Sequence, residues 1–417
     1  MFGLQFDIFV FMMYKQLSIL YFFFISLPLI SQEIKTVQLH PYGNEAAQPI
    51  VPLGSVLDLS FDDLEADNKD YQYKIEHMTY DWKPSNLQSN QYINGFDQNY
   101  IINITNSFNT LQSYTHYNVQ IPNQNTIITK SGNYIISVLD DDDNVLFTRR
   151  CVFYENLTTV GVNVLRSRET LNNNTEQTVQ FIINHQGLSI NNPFQEIQVQ
   201  LFQNNNWNTT VTNIPPLFIR TDRLIYNYTQ KTNFLGGNEF LNFDNKYIRN
   251  TNVNIAKTTR EDLFHNYLYT DIDRTYKPYT YNPDINGNFI IRTLDAEDEN
   301  TEADYAMMHF SLEVDEPYRN KDVYVYGAFN NYELTDSNKM TYNSSENTYE
   351  ASILLKQGFY NYMYVTANKN KEVNLTEISG SFFQTENEYT VIVYYKPFGA
   401  LFYRAIGVGN GFFNQNR

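Results

Sequence analysis

The side chains able to do chemistry are scattered along this sequence and do not converge. Six histidines stand at His40, His77, His116, His185, His265 and His309. No two are four residues apart with an acidic neighbour, so the spacing of a zinc-binding helix is missing. The sequence also has no phosphate-binding glycine loop, dinucleotide fingerprint or nucleophile elbow. The densest carboxylate run, Asp140-Asp141-Asp142-Asp143-Asn144, offers oxygen ligands suited to a hard cation. It lacks the spacing and the glycine of a calcium loop, and reads instead as a solvated hairpin tip. The single cysteine, Cys151, cannot form an internal disulfide and lies in the apolar run Cys151-Val152-Phe153-Tyr154, which marks a buried strand. No catalytic, cofactor-binding or metal site is therefore expected. What remains are aromatic rings: Trp82 as a candidate partner contact, and Tyr332, Tyr360 and Tyr362 as candidate sugar contacts.

These rings belong to a chain of 417 residues, longer than one hydrophobic core usually serves, so two or three domains are expected. Hydrophobic residues make up 42%, enough to fill real cores, and the 34 Tyr and 30 Phe favour strands, where flat rings pack on a pleated surface. An AT-rich genome produces the same Tyr, Phe and Asn bias, so the composition alone implies no function. A net charge of −17 repels nucleic acid and anionic lipid, and neither is expected as a partner.

Near the start, Lys15 precedes an apolar stretch from Leu17 to Ile30 that ends at Ser31-Gln32, the pattern of an export signal covering residues 1–31. The stretch is short for a membrane span, no Cys follows it to carry a lipid, and no later segment reads as a span.

From Ile34 onward the pattern is strands separated by turns. Residues 32–156 are expected to form an Ig-like β-sandwich. Its clearest hairpin starts at Ser131-Gly132-Asn133, runs through Tyr134 to Leu139, turns at the acidic run and returns from Val145 to Tyr154. Residues 157–316 are expected to form a second β-rich domain, with strands at Thr178 to Ile183 and Ile197 to Phe202 and a turn at Asn204-Asn205-Asn206. Within it, Asp295 to Asp304 reads as a flexible acidic loop, and only Thr259 to Phe264 hints at a helix. Residues 317–417 are expected to form a third, early-set-like sandwich. There the alternation through Gly358-Phe359-Tyr360-Asn361-Tyr362-Met363-Tyr364-Val365 predicts one buried and one amphipathic face. The fold class expected is thus all-β, with tandem sandwiches.

Two resemblances follow from particular residues. Gly327, Phe329 and Asn330, then Gly358, Tyr360 and Tyr362, resemble the signature of a glycogen-binding type of carbohydrate module. Tyr332 stands where that family has Trp, the usual stacking residue, and the likeness covers only residues 322 to about 366. The second resemblance spans Val37 to Val408. Its pieces are His40-Pro41; Tyr80-Asp81-Trp82-Lys83-Pro84-Ser85; Tyr92-Ile93-Asn94-Gly95-Phe96; Ser131-Gly132-Asn133-Tyr134; Thr148-Arg149-Arg150-Cys151-Val152; Gly236-Gly237-Asn238-Glu239-Phe240 with Phe243-Asp244; Tyr305 with Val323 to Gly327; and Tyr395-Lys396-Pro397-Phe398-Gly399-Ala400 leading to Arg404 through Val408. In this order they resemble the plug protein of the type IX secretion translocon. Cys151, where that pattern expects an aromatic, and Ala405 depart from it.

The second resemblance implies a non-catalytic periplasmic protein. It would associate peripherally with the outer membrane by docking on the translocon barrel, and would close the barrel's periplasmic opening when nothing is being exported. The partner implied is that barrel protein, with no nucleic acid, no direct membrane insertion, no small-molecule substrate and no cofactor. The first resemblance implies the alternative, an exported carbohydrate-binding envelope protein using its C-terminal module.

Overall fold

The computed structural model describes residues 34–294 and 296–413. The expected signal segment, 1–31, lies outside the described residues. Alternating apolar residues turn this stretch into three two-layer β-sandwiches. The only helices among the described residues are single turns at Ser89–Tyr92, Pro193–Glu196, Ala328–Asn330 and Glu299–Glu302. Thr259 to Phe264 is not helical: strand Ile255–Arg260 turns there into strand Phe264–Leu268.

In the first sandwich a four-stranded sheet runs in the order Ile34–Pro41, Leu57–Asp63, Thr115–Ile121, Asn103–Asn106. It faces a five-stranded sheet in the order Ile50–Pro52, Val145–Tyr154, Gly132–Leu139, Gln72–Met78, Gln98–Tyr100. Leu59, Phe61 and Tyr117 from one sheet meet Ile75, Tyr134 and Phe153 from the other in a single core. The acidic run is the tip of the expected hairpin. There the Asp140 carboxylate accepts hydrogen bonds from the backbone N–H of Asp142 and Asn144 at 3.0 and 2.8 Å.

The second and third sandwiches are nested, which the expected boundaries at 157–316 and 317–417 do not anticipate. One sheet of the second contains Thr159–Arg166, Glu176–Asn184, Arg223–Tyr226 and Phe218–Ile219. Its facing sheet takes Asn206–Val211 and Ile197–Gln203 from the same region. It is completed by Glu388–Tyr395 and Arg404–Phe412 from the far end of the chain. Ile197–Gln203 pairs with Glu388–Tyr395 over its whole length, and Tyr389, Val391 and Val393 share a core with Val179, Phe181 and Leu201. The third sandwich, from Leu241 to Asn374, is inserted between those halves. Local alternation specifies each strand but not its partner, so a boundary read from turn residues misses such an insertion.

The last strand carries Gly407, Gly409 and Gly411 on one face, where it lies against Thr159–Arg166. A Cβ at Gly409 would sit 2.5 Å from the Val160 carbonyl oxygen, and one at Gly407 would sit 2.9 Å from the Thr158 carbonyl oxygen. Gly409→Ala must push the two backbones apart. The expected result is a loss of about 1–3 kcal/mol, the usual penalty of overpacking, read as a lowered denaturation midpoint. An unchanged midpoint would mean the strand is not held this closely.

In the third sandwich, strand Gly358–Ala367 is central. It pairs with Leu241–Asp244, Phe289–Ile291, Asp322–Tyr326 and Val373–Asn374. Both of its faces are buried, against the expectation of one amphipathic face. Tyr360, Tyr362 and Tyr364 enter the main core, while Met363 and Val365 meet Phe240, Tyr326 and Tyr332 on the other side.

Candidate functional site

The side chains that meet in space do so mainly where the sandwiches join, and the first sandwich touches both others. On its four-stranded sheet, Leu57, Leu59 and Phe61 point inward, so Asp62 points out. His116 on the neighbouring strand points out beside it, its Nδ1 2.7 Å from Asp62 Oδ1. The third sandwich supplies the rest of this node. Lys356 Nζ and the Tyr305 hydroxyl each donate to Asp62 Oδ2 at 2.7 Å. Lys356 Nζ also donates to the Asn300 carbonyl and lies 4.1 Å from the centre of the Tyr114 ring. Asp62 and Lys356 are both inaccessible to solvent. Burial alone would push the Asp62 carboxyl up, but the Lys356 ammonium and His116 outweigh it and hold the carboxyl below the ordinary range. Nearby, the Asp304 carboxylate accepts the backbone N–H groups of Leu111 and Gln112 at 2.8 and 3.1 Å. The expected flexible acidic loop thus ends in a one-turn helix capped by Asp298 and a carboxylate tying two sandwiches together.

The junction of the first and second sandwiches is aromatic. The Tyr394 hydroxyl donates to Asn133 Oδ1 at 2.6 Å and reaches Gln200 Oε1 at 3.0 Å. Trp82 meets Trp207 edge-on, centroids 4.9 Å apart, and the Arg150 guanidinium lies 4.8 Å above the Trp82 ring. Arg404 pairs with Glu155 at the margin. Trp82, the candidate partner contact, is therefore half-buried and engaged within the molecule.

The second and third sandwiches join at Gly236-Gly237-Asn238-Glu239-Phe240. Gly236 is needed for close approach, since a Cβ there would lie 2.1 Å from the Phe382 carbonyl oxygen. Asn238 Nδ2 donates to the Ser379 carbonyl at 2.8 Å, and the Phe240 N–H donates to Asp284 Oδ2 at 2.6 Å. Glu239 is buried and accepts from the Tyr279 hydroxyl and the Glu386 N–H. Burial raises Glu239 to about 7 and Asp284 to about 6, against the hydrogen bonds that favour their anions. Asp271, also raised by burial, accepts from both Tyr362 and Tyr364 at 2.8 Å.

The candidate sugar contacts are core residues. Tyr360 donates to the Lys356 carbonyl at 2.6 Å, Tyr362 donates to Asp271, and Tyr332 is 7% exposed with its hydroxyl 3.3 Å from the Asn204 carbonyl. A sugar-stacking platform needs an open ring face, and burial denies one to all three; the glycogen-module likeness extends to local strand shape, not to a surface. Cys151 is buried, and burial pushes its thiol up, away from nucleophilic use. One carboxylate cluster, Asp63, Glu65 and Asp67, was not anticipated. Lys69 fills it, with Nζ 2.9 Å from Asp63 and 3.4 Å from Asp67, so an ammonium stands where a metal ion would. Spacing of three carboxylates two apart, followed by Lys, was the signal available in the sequence.

Residues 34–155 match the family described as "Type 9 secretion system plug protein 1st domain". A crystal structure of a hypothetical protein from Parabacteroides merdae is similar over 91% of this chain and 97% of its own, at 31% identity and a TM-score of 0.87. The chain belongs to the type 9 secretion system plug family. The matched residues coincide with the first sandwich of this plug-family chain, and the full-length likeness extends the same architecture through the nested pair. A second structure, the BSP domain of a biofilm associated protein, covers 91% of this chain and 59% of its own at 7% identity and a TM-score of 0.18, too low to inform the fold. No curated protein matches the chain. The plug family is a secretion family, not a known enzyme family, and ties this chain to type 9 secretion in the cell envelope.

Proposed function

We propose that this chain is a non-catalytic periplasmic plug, docking on the type 9 translocon barrel and sealing its periplasmic opening. The observation that carries the reading is the plug-family match over residues 34–155. The junctions support it physically. A seal has to resist deformation, and here buried polar nodes tie the first sandwich to both others. No helix among the described residues is long and apolar enough to cross a membrane, so action at a pore requires docking if the chain is not itself a barrel. A releasable seal calls for a modest interface, on the order of 1,200–2,000 Å² in total.

Exposed apolar side chains at loop tips suit such an interface better than Trp82. At the turn before Arg404–Phe412, Phe398 is 100% exposed and Leu401 64%, and Phe194 on the adjoining turn is 60% exposed. Lys396, whose N–H donates to the Glu196 carbonyl at 2.8 Å, brings these two turns together. Large rings buried on docking dominate interface energy.

Deleting the chain should make cells take up a large impermeant dye. The leak should disappear when the barrel is deleted as well. The tagged chain should co-purify with the barrel from solubilised outer membranes, and Phe398→Asp should reduce the yield. Wild-type dye uptake in the deletion strain, or a leak that persists without the barrel, would refute the plug reading.

A further inference from the structure

A cleft of about 310 Å³ opens where all three sandwiches meet, and the Arg149 guanidinium stands in it with no carboxylate of the described residues at ion-pair distance, Glu333 acting on it only from further off. Gln38 and Arg149 come from the first sandwich, Asn205 and Trp207 from the second, Asn331 and Glu333 from the third. Arg149 is out of place by the logic of its own strand. Side chains alternate across a strand, and Phe147, Cys151 and Phe153 pack into the core of the first sandwich. Arg149 shares their inward face. It escapes at the open end of the sandwich, where Val37 and Leu39 of the facing sheet also line the cleft. A half-buried guanidinium in a cleft gains most from a paired anion. Among the described residues it donates to the neighbouring Thr148 carbonyl at 2.9 Å. None of the ion pairs of the described residues includes it.

Two amides of the wall are already engaged. Asn208 donates to the Tyr326 hydroxyl and the Tyr332 carbonyl at 3.1 Å, and Asn331 donates to Glu333 at 2.6 Å. Asn205 leaves its buried amide oxygen without a partner.

From this geometry we infer that the three-sandwich cleft binds a ligand through a carboxylate held by Arg149. The planar fork of guanidinium matches a carboxylate in bidentate fashion. Glu45 and Glu333, also in the wall, disfavour a doubly charged phosphate. The volume suits a ligand of about one or two amino-acid residues. Such a carboxylate could come from a free amino acid or from the end of a polypeptide; the chemistry of capture is shared. The inference stands whether or not the chain docks on the barrel.

The rival explanation is that an inward charge merely blunts an edge strand, since Val145 to Arg150 lacks a neighbour on its outer side. The molecule carries its own reporter. Its two tryptophans are Trp207, in the cleft wall, and Trp82, packed against it. The experiment titrates the full chain with glutamate, with acetyl-triglycine bearing a free C-terminus, and with the same peptide as its C-terminal amide. It follows tryptophan fluorescence and melting temperature.

A saturable change with the carboxylate peptide but not the amide is expected. An equal response to glutamate assigns the source to a small acid, while a response to the peptide alone assigns it to a chain end. Arg149→Lys keeps the charge that would blunt the edge but loses the fork, and should weaken binding about tenfold or more. Arg149→Gln should abolish it. Circular dichroism verifies folding, and Arg149→Lys decides the matter if Arg149→Gln does not fold. No saturable signal with glutamate or the free peptide, an equal signal with the amide, or unaltered binding by Arg149→Lys would overturn the inference.

Discussion

Lys356→Met is expected to remove about 3–5 kcal/mol of stability, because it strands the buried Asp62 carboxylate without its cation. The ammonium and carboxylate are 2.7 Å apart and neither reaches solvent. Methionine keeps most of the packing against Tyr114 and Tyr305, so the loss isolates the charge. His116 and Tyr305 still hydrogen-bond Asp62 and keep the cost finite. Adding Asp62→Asn should recover part of the loss, since a neutral amide tolerates burial better than an unpaired anion. Urea denaturation of the single and double variants reads both effects. A single-variant loss below about 1 kcal/mol would mean water already reaches the node.

The pH dependence of this contribution has a definite sign. Asp62 lies below its ordinary value of 3.8 in the folded chain. Its contribution is therefore complete above about pH 4 and is lost as the pH falls through the lower folded value.

Glu239→Gln should do the reverse, stabilising the protein at pH 8 by up to about 3 kcal/mol and changing little at pH 4.5. Burial moves Glu239 from 4.5 to about 7, and each unit corresponds to about 1.4 kcal/mol. With the folded value raised, the native state holds the proton longer than the unfolded chain. Stability from this group is intact below about 4.5 and falls away as the pH rises to about 7. Asp284, raised to about 6, acts in the same direction, and the two share one site, so their effects overlap.

His77 opposes them. Burial lowers it from 6.5 to about 4, with one ring nitrogen unpartnered, so its part of the stability is lost as the pH falls from about 6.5 to 4. Two raised carboxyls against one lowered imidazole make wild-type stability fall as the pH rises from 4.5 to 6.5, and Glu239→Gln, which leaves Asp284 against His77, should flatten that fall. The measurement is denaturation midpoint against pH for both proteins. Parallel curves would show that Glu239 does not titrate in this range.

The strands were legible because period-two alternation is a local property. Tyr73 and Ile75, Tyr134 to Val138, and Val179 to Ile183 each announce a buried face, and each lies in a strand with that face buried. The plug-family identity was legible too, from short pieces in order along the chain. Partner choice was not. Nothing local in Glu388–Tyr395 says that its neighbour is Ile197–Gln203 and not a strand of the third sandwich. The tyrosines misled for a related reason. Tyr360 and Tyr362 alternate as a half-exposed strand would, but the Phe240–Tyr332 cluster covers the second face from elsewhere in the sequence. Alternation puts polar residues such as Asp62 at outward positions, where nothing local distinguishes solvent from a covering sandwich. They become junction residues only once a second sandwich covers the sheet.

The nesting of the third sandwich inside the second also sets a schedule. A chain that emerges from its N-terminus can close the first sandwich as soon as Tyr154 is available. The second cannot be closed then, because the neighbour of Ile197–Gln203 is made almost two hundred residues later. Until Glu388–Tyr395 arrives, that strand has an open edge and its apolar face has no complete partner sheet. Contacts so distant in sequence form late and slowly. A copy interrupted near residue 380 therefore lacks the centre of a sheet, however well its third sandwich has formed. Unfinished copies carry a persistent mark of incompleteness that proteases and chaperones can read, so the last strands act as the molecule's own certificate of complete delivery.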